Sequence, residues 1–166
     1  MPIVLSVISK VKDTGKTTLI EGLMKVLKQR GYRVMTLKYS CSDFDIDYEH
    51  TDSYRHCQAG ADRTVVVGPK KMVVIENTQQ RKSFDELISQ YYDVDIILTE
   101  GFREVDAPTI EVIRREKGTQ IYTDNINLIA IATDINELKA TVPVYGLNDY
   151  RSMCSLIERR MLNKAM

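Results

Sequence analysis

Four consecutive residues near the start of the chain, Gly15-Lys16-Thr17-Thr18, have the types and the spacing that bind phosphate. An apolar, β-branched run at 3–8 precedes them and predicts a buried strand, and the residues that follow predict an amphipathic helix. At such a junction the loop amides and the unpaired N–H groups of the first helical turn face one point, where the helix dipole favours negative charge. The predicted phosphate-binding residues are Asp13, Thr14, Gly15, Lys16, Thr17 and Thr18.

The chemistry of this stretch is that of a P-loop. The Lys16 ammonium would reach the β- and γ-phosphates of a nucleotide, and the Thr17 hydroxyl would ligate Mg²⁺. The pattern places a glycine five residues before Gly15, but Lys10 holds that position, so the first turn lacks its conformationally permissive residue. The alternative interpretation is an ordinary helix N-terminus that contains Gly-Lys-Thr.

A second group of candidate residues follows the apolar run DIILT at 95–99, which predicts a buried strand. Glu100 would hold Mg²⁺ through water or orient an attacking water, which makes it the candidate catalytic residue. Gly101 would let a phosphate approach the backbone closely, and Arg103 would neutralise phosphate charge. The alternatives are a Glu100 that faces solvent and an Arg103 that pairs with an acidic loop.

Asp134 directly follows another buried run, LIAIAT at 128–133. In a guanine-nucleotide fold, a carboxylate at that point accepts hydrogen bonds from guanine N1–H and N2–H₂ together, whereas adenine offers no such pair of donors. Asp134 is therefore the candidate base-binding residue. The alternative is that Asp134 caps a helix or a turn, where aspartate is common.

Composition narrows the class of protein. The chain has 166 residues, of which 43% are hydrophobic and 28% charged, so residues 1–166 are expected to form one globular nucleotide-binding domain. A formal net charge of zero argues against nucleic acid or an anionic membrane as partner. No apolar run reaches the roughly 20 residues of a membrane helix, and no basic segment precedes the first strand, so we expect a cytoplasmic protein.

The cysteine and histidine residues do not predict a metal centre. Three cysteines, an odd number with irregular spacing, indicate free thiols, and with His50 and His56 they match no usual zinc framework. No serine-histidine-acid arrangement indicates a nucleophile.

Hydrophobic periodicity predicts an α/β fold of P-loop NTPase-like class: a mostly parallel twisted sheet, helices on both faces and an added antiparallel hairpin. Strands are predicted at 3–8, 33–38, 63–68, 71–76, 95–99, 109–114, 128–133 and 142–145, and helices at 17–30, 53–59, 83–92 and 149–164. A polar loop at 39–50, with acidic residues Asp43, Asp45, Asp47 and Glu49, lies beyond the second strand.

Several stretches together resemble one family, the MobB-type adapter proteins of molybdopterin-guanine dinucleotide biosynthesis. They are GKTTL at 15–19, FDID at 44–47, DSYRHCQAGA at 52–61, and DIILTEGFRE followed by PTIEVIR up to residue 114. The resemblance implies a P-loop fold that binds GTP and Mg²⁺, forms a homodimer and hydrolyses GTP weakly at most. It also implies that the protein assists a separate molybdopterin guanylyltransferase.

The resemblance carries over to particular positions. Asp52 would match the acidic residue before the family's AGA helix, and Glu100, Gly101 and Phe102 would match its strand-end Glu-Gly-aromatic sequence. Lys10 replaces a loop residue that is usually small. The family often has histidines after the second strand, but here residues 39–42 are YSCS, so no role of those histidines transfers.

The expected function is therefore that of a GTP-binding adapter in molybdenum-cofactor maturation. A molybdopterin guanylyltransferase is the expected partner, with molybdopterin or a molybdoenzyme as further candidates. The alternatives are a P-loop kinase of a small metabolite and an ATP-dependent ligase similar to dethiobiotin synthase. The hairpin at 63–76 is the candidate dimer seam because it has apolar residues on both faces; the alternative is that the terminal helix covers it.

Overall fold

The computed structural model describes residues 2–44, 46–102, 105–122 and 126–162. Arg103 and Asp45, both considered above, lie outside the described residues. The chain divides into two compact units: Met1–Tyr39 together with Ile88–Met166, and Ser40–Leu87. The single domain expected from the chain length stays a prediction.

The helices and strands follow one another in the order that the periodicity predicts. In chain order they are β1 (Ile3–Ile8), α1 (Lys16–Gln29), β2 (Val34–Lys38), α2 (Asp52–Gln58), β3 (Arg63–Val67), β4 (Met72–Glu76), α3 (Phe84–Ile88), β5 (Ile96–Glu100), β6 (Thr109–Ile113), β7 (Leu128–Thr133), β8 (Val144–Gly146) and α4 (Tyr150–Ile157). A 3₁₀ turn, Arg115–Lys117, follows β6, and a π-helical turn, Glu158–Leu162, continues α4. No described helix has the length and apolar character required to cross a membrane.

The first unit contains a six-stranded sheet in the order β2-β5-β1-β6-β7-β8, and every pair of neighbours is parallel. Three of its inner strands, β5, β6 and β7, are short apolar runs with buried side chains on both faces, as is typical of parallel sheets. The first strand therefore lies between β5 and β6. Because all six strands run in one direction, the segments that follow β5, β1, β6 and β7 meet at one edge of the sheet, where ligands bind in such folds.

The two longest helices of the first unit, α1 and α4, pack together over one face of the sheet. Leu19, Leu23 and Leu27 of α1 are buried against strand residues, and Met153 and Ile157 of α4 join the same core. This leucine spacing is the apolar stripe that the sequence predicts. The stripe fixes the direction of α1, and thereby the position of its N-terminus at the sheet edge.

One glycine permits the close approach of these helices. A Cβ added at Gly22 of α1 would overlap the ring of Tyr150, the first residue of α4. Tyr150 packs against the main core, and its hydroxyl donates a hydrogen bond to Oδ1 of Asn148 at 2.9 Å. The Tyr150 ring thus occupies the volume that a side chain at position 22 would fill.

In the second unit a helical turn packs against a two-stranded antiparallel sheet formed by β3 and β4. Thr51 caps α2, because its hydroxyl oxygen accepts a hydrogen bond from the Tyr54 amide at 3.2 Å. The Cys57 thiol of α2 donates to the Thr64 hydroxyl of β3 at 3.2 Å. Thr64 is consequently buried, whereas most of β3 is exposed.

The fold class predicted from the sequence is confirmed: a parallel sheet with packed helices and a separate antiparallel hairpin. Strand and helix limits agree with the predictions within about two residues in most elements. Two helices differ. The helix predicted at 83–92 is the short α3, which begins after a reciprocal capping pair between Ser83 and Glu86. The terminal helix ends as a regular helix at Ile157 and passes into the π-helical turn; residues 163 and 164 of the prediction lie outside the described part.

Candidate functional site

The loop from Ser9 to Gly15 leads from β1 into α1 and has two residues in the left-handed region of the backbone. Gly15, the residue before the first helical turn, has φ +93°, and Asp13 has φ +58°. Lys10 is not among the positive-φ residues, so the backbone at this position does not need the glycine that the pattern places there. The turn is made at Asp13 instead, and aspartate tolerates this conformation better than most residues.

The N-terminus of α1 has the features of an anion site. No side chain caps it, and its first internal hydrogen bond runs from the Leu19 amide to the Gly15 carbonyl. The preceding amides of the first turn therefore have no partner within the helix. Thr18 lies exposed in this turn. A phosphate oxygen is a suitable acceptor for these amides, and the helix dipole favours its charge.

Lys16 is held at the loop by a local hydrogen bond. Its ammonium Nζ donates to the Ser9 hydroxyl oxygen at 3.0 Å, and the Ser9 hydroxyl donates to the Val11 carbonyl at 2.6 Å. The Lys16 side chain is half-buried and Ser9 is buried. The lysine head group is thereby kept against the loop and does not extend into solvent.

Thr17, in the first turn of α1, meets Glu100, at the end of β5. The Thr17 hydroxyl oxygen lies 3.0 Å from Oε1 and 3.1 Å from Oε2 of Glu100, the last residue of β5. A hydroxyl and a carboxylate at one point are hard oxygen donors of the kind that Mg²⁺ prefers. The two residues fit a Mg²⁺ site that is completed by water and nucleotide phosphates. The described residues contain no cluster of three histidine, cysteine or acidic side chains that could hold a metal by themselves.

The backbone after Glu100 is tied to the sheet. Gly101 has φ +82°, and its amide donates to the Val7 carbonyl at 3.3 Å. The Ser6 hydroxyl donates to the Phe102 carbonyl at 2.8 Å. The Phe102 ring packs edge-on against Tyr39, with centroids 5.2 Å apart. These contacts fix the path of the chain beside Glu100, and so the position of its carboxylate.

Arg114 is a residue of this site to which the sequence analysis assigned no role. It directly follows β6, and its Nε donates to the Thr14 carbonyl at 3.1 Å. A Cβ at Gly15 would lie 3.2 Å from Nη2 of Arg114, so the guanidinium lies against the loop. The sequence does place Arg114 at the end of a buried strand. Only the strand order, however, shows that this strand is a neighbour of β1 and that Arg114 can therefore reach the loop.

Asp134 follows β7 at the same sheet edge. Its Oδ1 accepts a hydrogen bond from the Arg115 amide at 2.8 Å, and its carbonyl accepts from the Arg115 guanidinium at 3.4 Å. The carboxylate thus caps the 3₁₀ turn, which is the alternative weighed above for this residue. Asp134 is exposed, and Oδ2 has no hydrogen-bond partner in the described part of the chain. Oδ2 of Asp134 therefore remains available to accept a hydrogen bond from a base.

The two remaining candidates are Asp52 and Arg103. Asp52 is the first residue of α2, in the second unit, where its strongly exposed carboxylate lies 3.9 Å from the Arg55 guanidinium. Arg103 lies outside the described residues. The first unit itself brings together Lys16, Thr17, Glu100 and Arg114 around the loop.

The fold and the site define a class of protein: an α/β protein of P-loop NTPase-like architecture. The model of one family, described as "MobB: Molybdopterin guanine dinucleotide synthesis protein B", matches residues 4–134. The chain belongs to this family, and the resemblance noted from its motifs is confirmed.

Relatives in other organisms support the same assignment. The chain is similar to a protein of Methanocaldococcus jannaschii described as "Putative molybdopterin-guanine dinucleotide biosynthesis adapter protein", with 31% identity over 150 residues covering 82% of this chain and 62% of the relative. The aligned part is thus less than two thirds of that relative. This chain is also 29% identical to the molybdopterin-guanine dinucleotide biosynthesis adapter protein of Escherichia coli, over 87% of this chain and 85% of that protein.

Solved structures show the same fold. A MobB homolog from Bacillus stearothermophilus has a TM-score of 0.73 at 21% identity, covering 96% of this chain and 98% of that one. Bacillus subtilis MobB has a TM-score of 0.72 at 24% identity, covering 96% and 97%. At these identities the likeness concerns the fold alone.

Proposed function

We propose that this chain is an adapter of molybdopterin-guanine dinucleotide biosynthesis that binds GTP with Mg²⁺ and assists a separate molybdopterin guanylyltransferase. Family membership and the names of the relatives support the adapter role. One structural observation carries the nucleotide part. Lys16 and the Thr17–Glu100 pair lie beside an uncapped helix N-terminus that begins at a left-handed glycine.

Each group has a role in the proposed complex. The amides at the start of α1 and the Lys16 ammonium bind the β- and γ-phosphates. Thr17 and Glu100 would hold Mg²⁺, Glu100 through water, and the ion would neutralise phosphate charge. Glu100 is also placed to orient a water molecule. Arg114 keeps the loop in shape through the Thr14 carbonyl.

Hydrolysis of GTP by the protein alone is expected to be slow. Efficient transfer to water needs both a positioned water and a cation that stabilises the transition state, and loss of an arginine finger costs on the order of 10³–10⁵ in rate. Glu100 can supply the first requirement. Among the described residues, Arg114 contacts the loop, and its Nε already donates to the Thr14 carbonyl. Slow hydrolysis suits an adapter, because a partner then has time to bind the form that holds GTP.

Preference for guanine is assigned to Asp134. We expect Asp134→Asn to narrow the ratio of GTP to ATP affinity by about 1–3 kcal/mol, the range measured for bidentate base contacts in nucleic-acid readout. The amide still caps the 3₁₀ turn through its oxygen but loses the acceptor for a guanine donor. Titration calorimetry with both nucleotides and Mg²⁺ measures the ratio, with the exposed Glu137→Gln as control. Equal binding of GTP and ATP by the unaltered protein would remove this assignment.

A homodimer is proposed through one face of the hairpin, which we call the hairpin outer face. Because side chains alternate along a strand and paired residues share a face, this face carries the following residues of β3 and β4: Arg63, Val65, Val67, Met72, Val74 and Glu76. Its four apolar members are between 52% and 73% exposed. The opposite face holds buried Thr64 and is the one bonded to α2. A contiguous exposed apolar face on a two-stranded sheet is typical of an interface, and a second copy of the chain is its proposed occupant.

The adapter role is tested by reconstitution. Adding the protein with GTP and Mg²⁺ to a molybdopterin guanylyltransferase and molybdopterin should raise the yield of the dinucleotide cofactor. Lys16→Ala should remove this gain, whereas Lys12→Ala, at an exposed position in the same loop, should retain it. No gain from the unaltered protein, together with a monomeric state in solution, would favour a small-molecule kinase.

A further inference from the structure

Arg114 and Arg115 lie between the phosphate loop and Asp134. The loop follows β1, Arg114 follows β6 and Asp134 follows β7, and these three strands are neighbours in the order β1-β6-β7. Adjacent strands are about 4.8 Å apart, so the loop and Asp134 are separated by two strand spacings, or roughly 10 Å. A nucleotide whose phosphates bind the loop and whose base binds Asp134 would span this distance.

The side chain of Arg114 is bound to the loop. Its Nε donates to the Thr14 carbonyl at 3.1 Å, and its Nη2 lies 3.2 Å from the place that a Cβ on Gly15 would take. The Thr14 carbonyl and the Gly15 N–H belong to one planar trans peptide, in which the two groups point in opposite directions. Arg114 therefore turns the Gly15 N–H away from itself. That N–H has no hydrogen-bond partner among the described residues, so it is available to a phosphate oxygen.

The charge of Arg114 also indicates an anion at this place. The guanidinium lies beside Gly15, the residue before α1, and thus near the positive end of the helix dipole, where a cation is unfavourable. The first turn of α1 contains no acidic residue. Arg114 forms no ion pair with any residue that the structure describes. A bound phosphate would offset both the guanidinium charge and the dipole.

The backbone after Arg114 is bound to Asp134. Arg114 is extended, with φ −110° and ψ 131°, and the amide of the next residue, Arg115, donates to Oδ1 of Asp134 at 2.8 Å. The Lys117 amide donates to the Arg114 carbonyl at 2.9 Å, which closes the 3₁₀ turn. Two consecutive residues thus contact the loop on one side and Asp134 on the other.

We propose that Arg114 is a positioning residue that connects the phosphate site with the base site. Its guanidinium sets the direction of the Gly15 amide, and the extended backbone between Arg114 and Arg115 sets the distance from the loop to Asp134. A nucleotide that fits both ends binds with less ordering of either, so loss of the connection weakens the base contact as well as the phosphate contact. The inference rests on the proposed nucleotide function, because it concerns the binding of GTP at the same site.

The experiment measures the affinities of GTP and ATP, each with Mg²⁺, for the unaltered protein and for Arg114→Gln by titration calorimetry. We expect Arg114→Gln to weaken GTP about tenfold, as for loss of a hydrogen bond from a charged donor, and to narrow the ratio of GTP to ATP affinity about threefold. Arg114 does not bind the base itself in this proposal, so a change in the ratio reports on the connection. Partial unfolding would lower the apparent affinity of both nucleotides equally and leave the ratio unchanged.

Three further variants complete the test. Arg114→Lys keeps a cation that can donate to a single carbonyl, and it is expected to retain most of the affinity and of the ratio. Arg114→Met keeps a long side chain without charge or donor; it should behave as Arg114→Gln and replaces that variant if Arg114→Gln does not fold. Lys117→Gln removes the same charge from an exposed position in the following turn and is expected to change neither quantity.

The outcomes separate this inference from the proposed function. If the unaltered protein binds GTP and Lys16→Ala does not, unchanged GTP affinity in Arg114→Gln would overturn the inference and leave the proposed function standing. Equal losses of GTP and ATP, or equal binding of the two nucleotides by the unaltered protein, would overturn the connection to the base site. A loss of the same size in Lys117→Gln would assign the effect to general charge and overturn the inference as well. Absence of GTP binding by the unaltered protein would contradict the proposed function, and the inference with it.

Discussion

Lys16→Ala is expected to weaken the binding of GTP with Mg²⁺ by about 2–4 kcal/mol, or roughly 30- to 900-fold. The half-buried ammonium is already positioned beside the α1 N-terminus by Ser9, so little side-chain entropy remains to be lost when phosphate binds. Its removal takes away a charge-assisted contact in a partly desolvated place, while the amides and the helix dipole remain. Isothermal titration calorimetry with the purified protein measures the change.

Lys12→Ala is the matched control for this experiment. Lys12 is in the same loop and is exposed, so its loss removes the same net charge without removing a positioned contact. We expect Lys12→Ala to change the free energy of GTP binding by no more than about 0.5 kcal/mol, as for an ordinary surface charge. Equal losses in the two variants would mean that the loop attracts nucleotide only by its general charge, and the P-loop assignment of Lys16 would then fail.

Val74→Glu is expected to convert the proposed dimer into a monomer. Val74 lies in the middle of the hairpin outer face, opposite Val65 on the neighbouring strand. In a two-fold dimer each substitution appears twice, and a buried charge without a partner costs about 3–5 kcal/mol or more. Sedimentation should give twice the chain mass of 19.0 kDa for the unaltered protein and the chain mass for the variant.

Val66→Glu is the control for this experiment, because the strand pairing places Val66 on the other face of the hairpin. Val66 is next to Val65 in the strand, with 45% of its surface exposed, but its side chain is on the opposite face of the hairpin. We expect the protein with Glu at this position to remain dimeric. A monomeric unaltered protein, or dissociation by Val66→Glu alone, would show that the hairpin outer face is not the seam.

The local parts of this site could be predicted from the sequence. Gly15, Lys16 and Thr17 lie within one turn of the chain, and the apolar runs before and after them indicate strand and helix directly. The place of Glu100 beside Thr17 also follows from its position at the end of a buried strand. Both predictions depend on short-range patterns and on the rule that parallel strands present their carboxyl ends at one edge.

The parts that could not be predicted depend on residues far apart in the chain. Arg114 reaches Thr14 because β6 is the neighbour of β1, and the order of strands is set by tertiary packing. The loop turn falls at Asp13 and not at Lys10 because backbone conformation follows the whole path of the loop, which a glycine pattern describes only approximately. Likewise, the sequence shows apolar residues on both faces of the hairpin, but only the contact with α2 shows which face is left exposed.

Because Gly22 contacts Tyr150, the residues at these two distant positions are expected to co-vary in evolution. Alanine at position 22 would increase the intrinsic helix propensity of α1 by about 1 kcal/mol. Considered for the helix alone, this substitution would therefore be favourable. The Tyr150 ring forbids that gain, because the new methyl group would occupy the space of the ring. A lineage can acquire a side chain at position 22 only after, or together with, a smaller residue at position 150. Related sequences should therefore show the two positions changing as a pair, although 128 positions separate them in the chain.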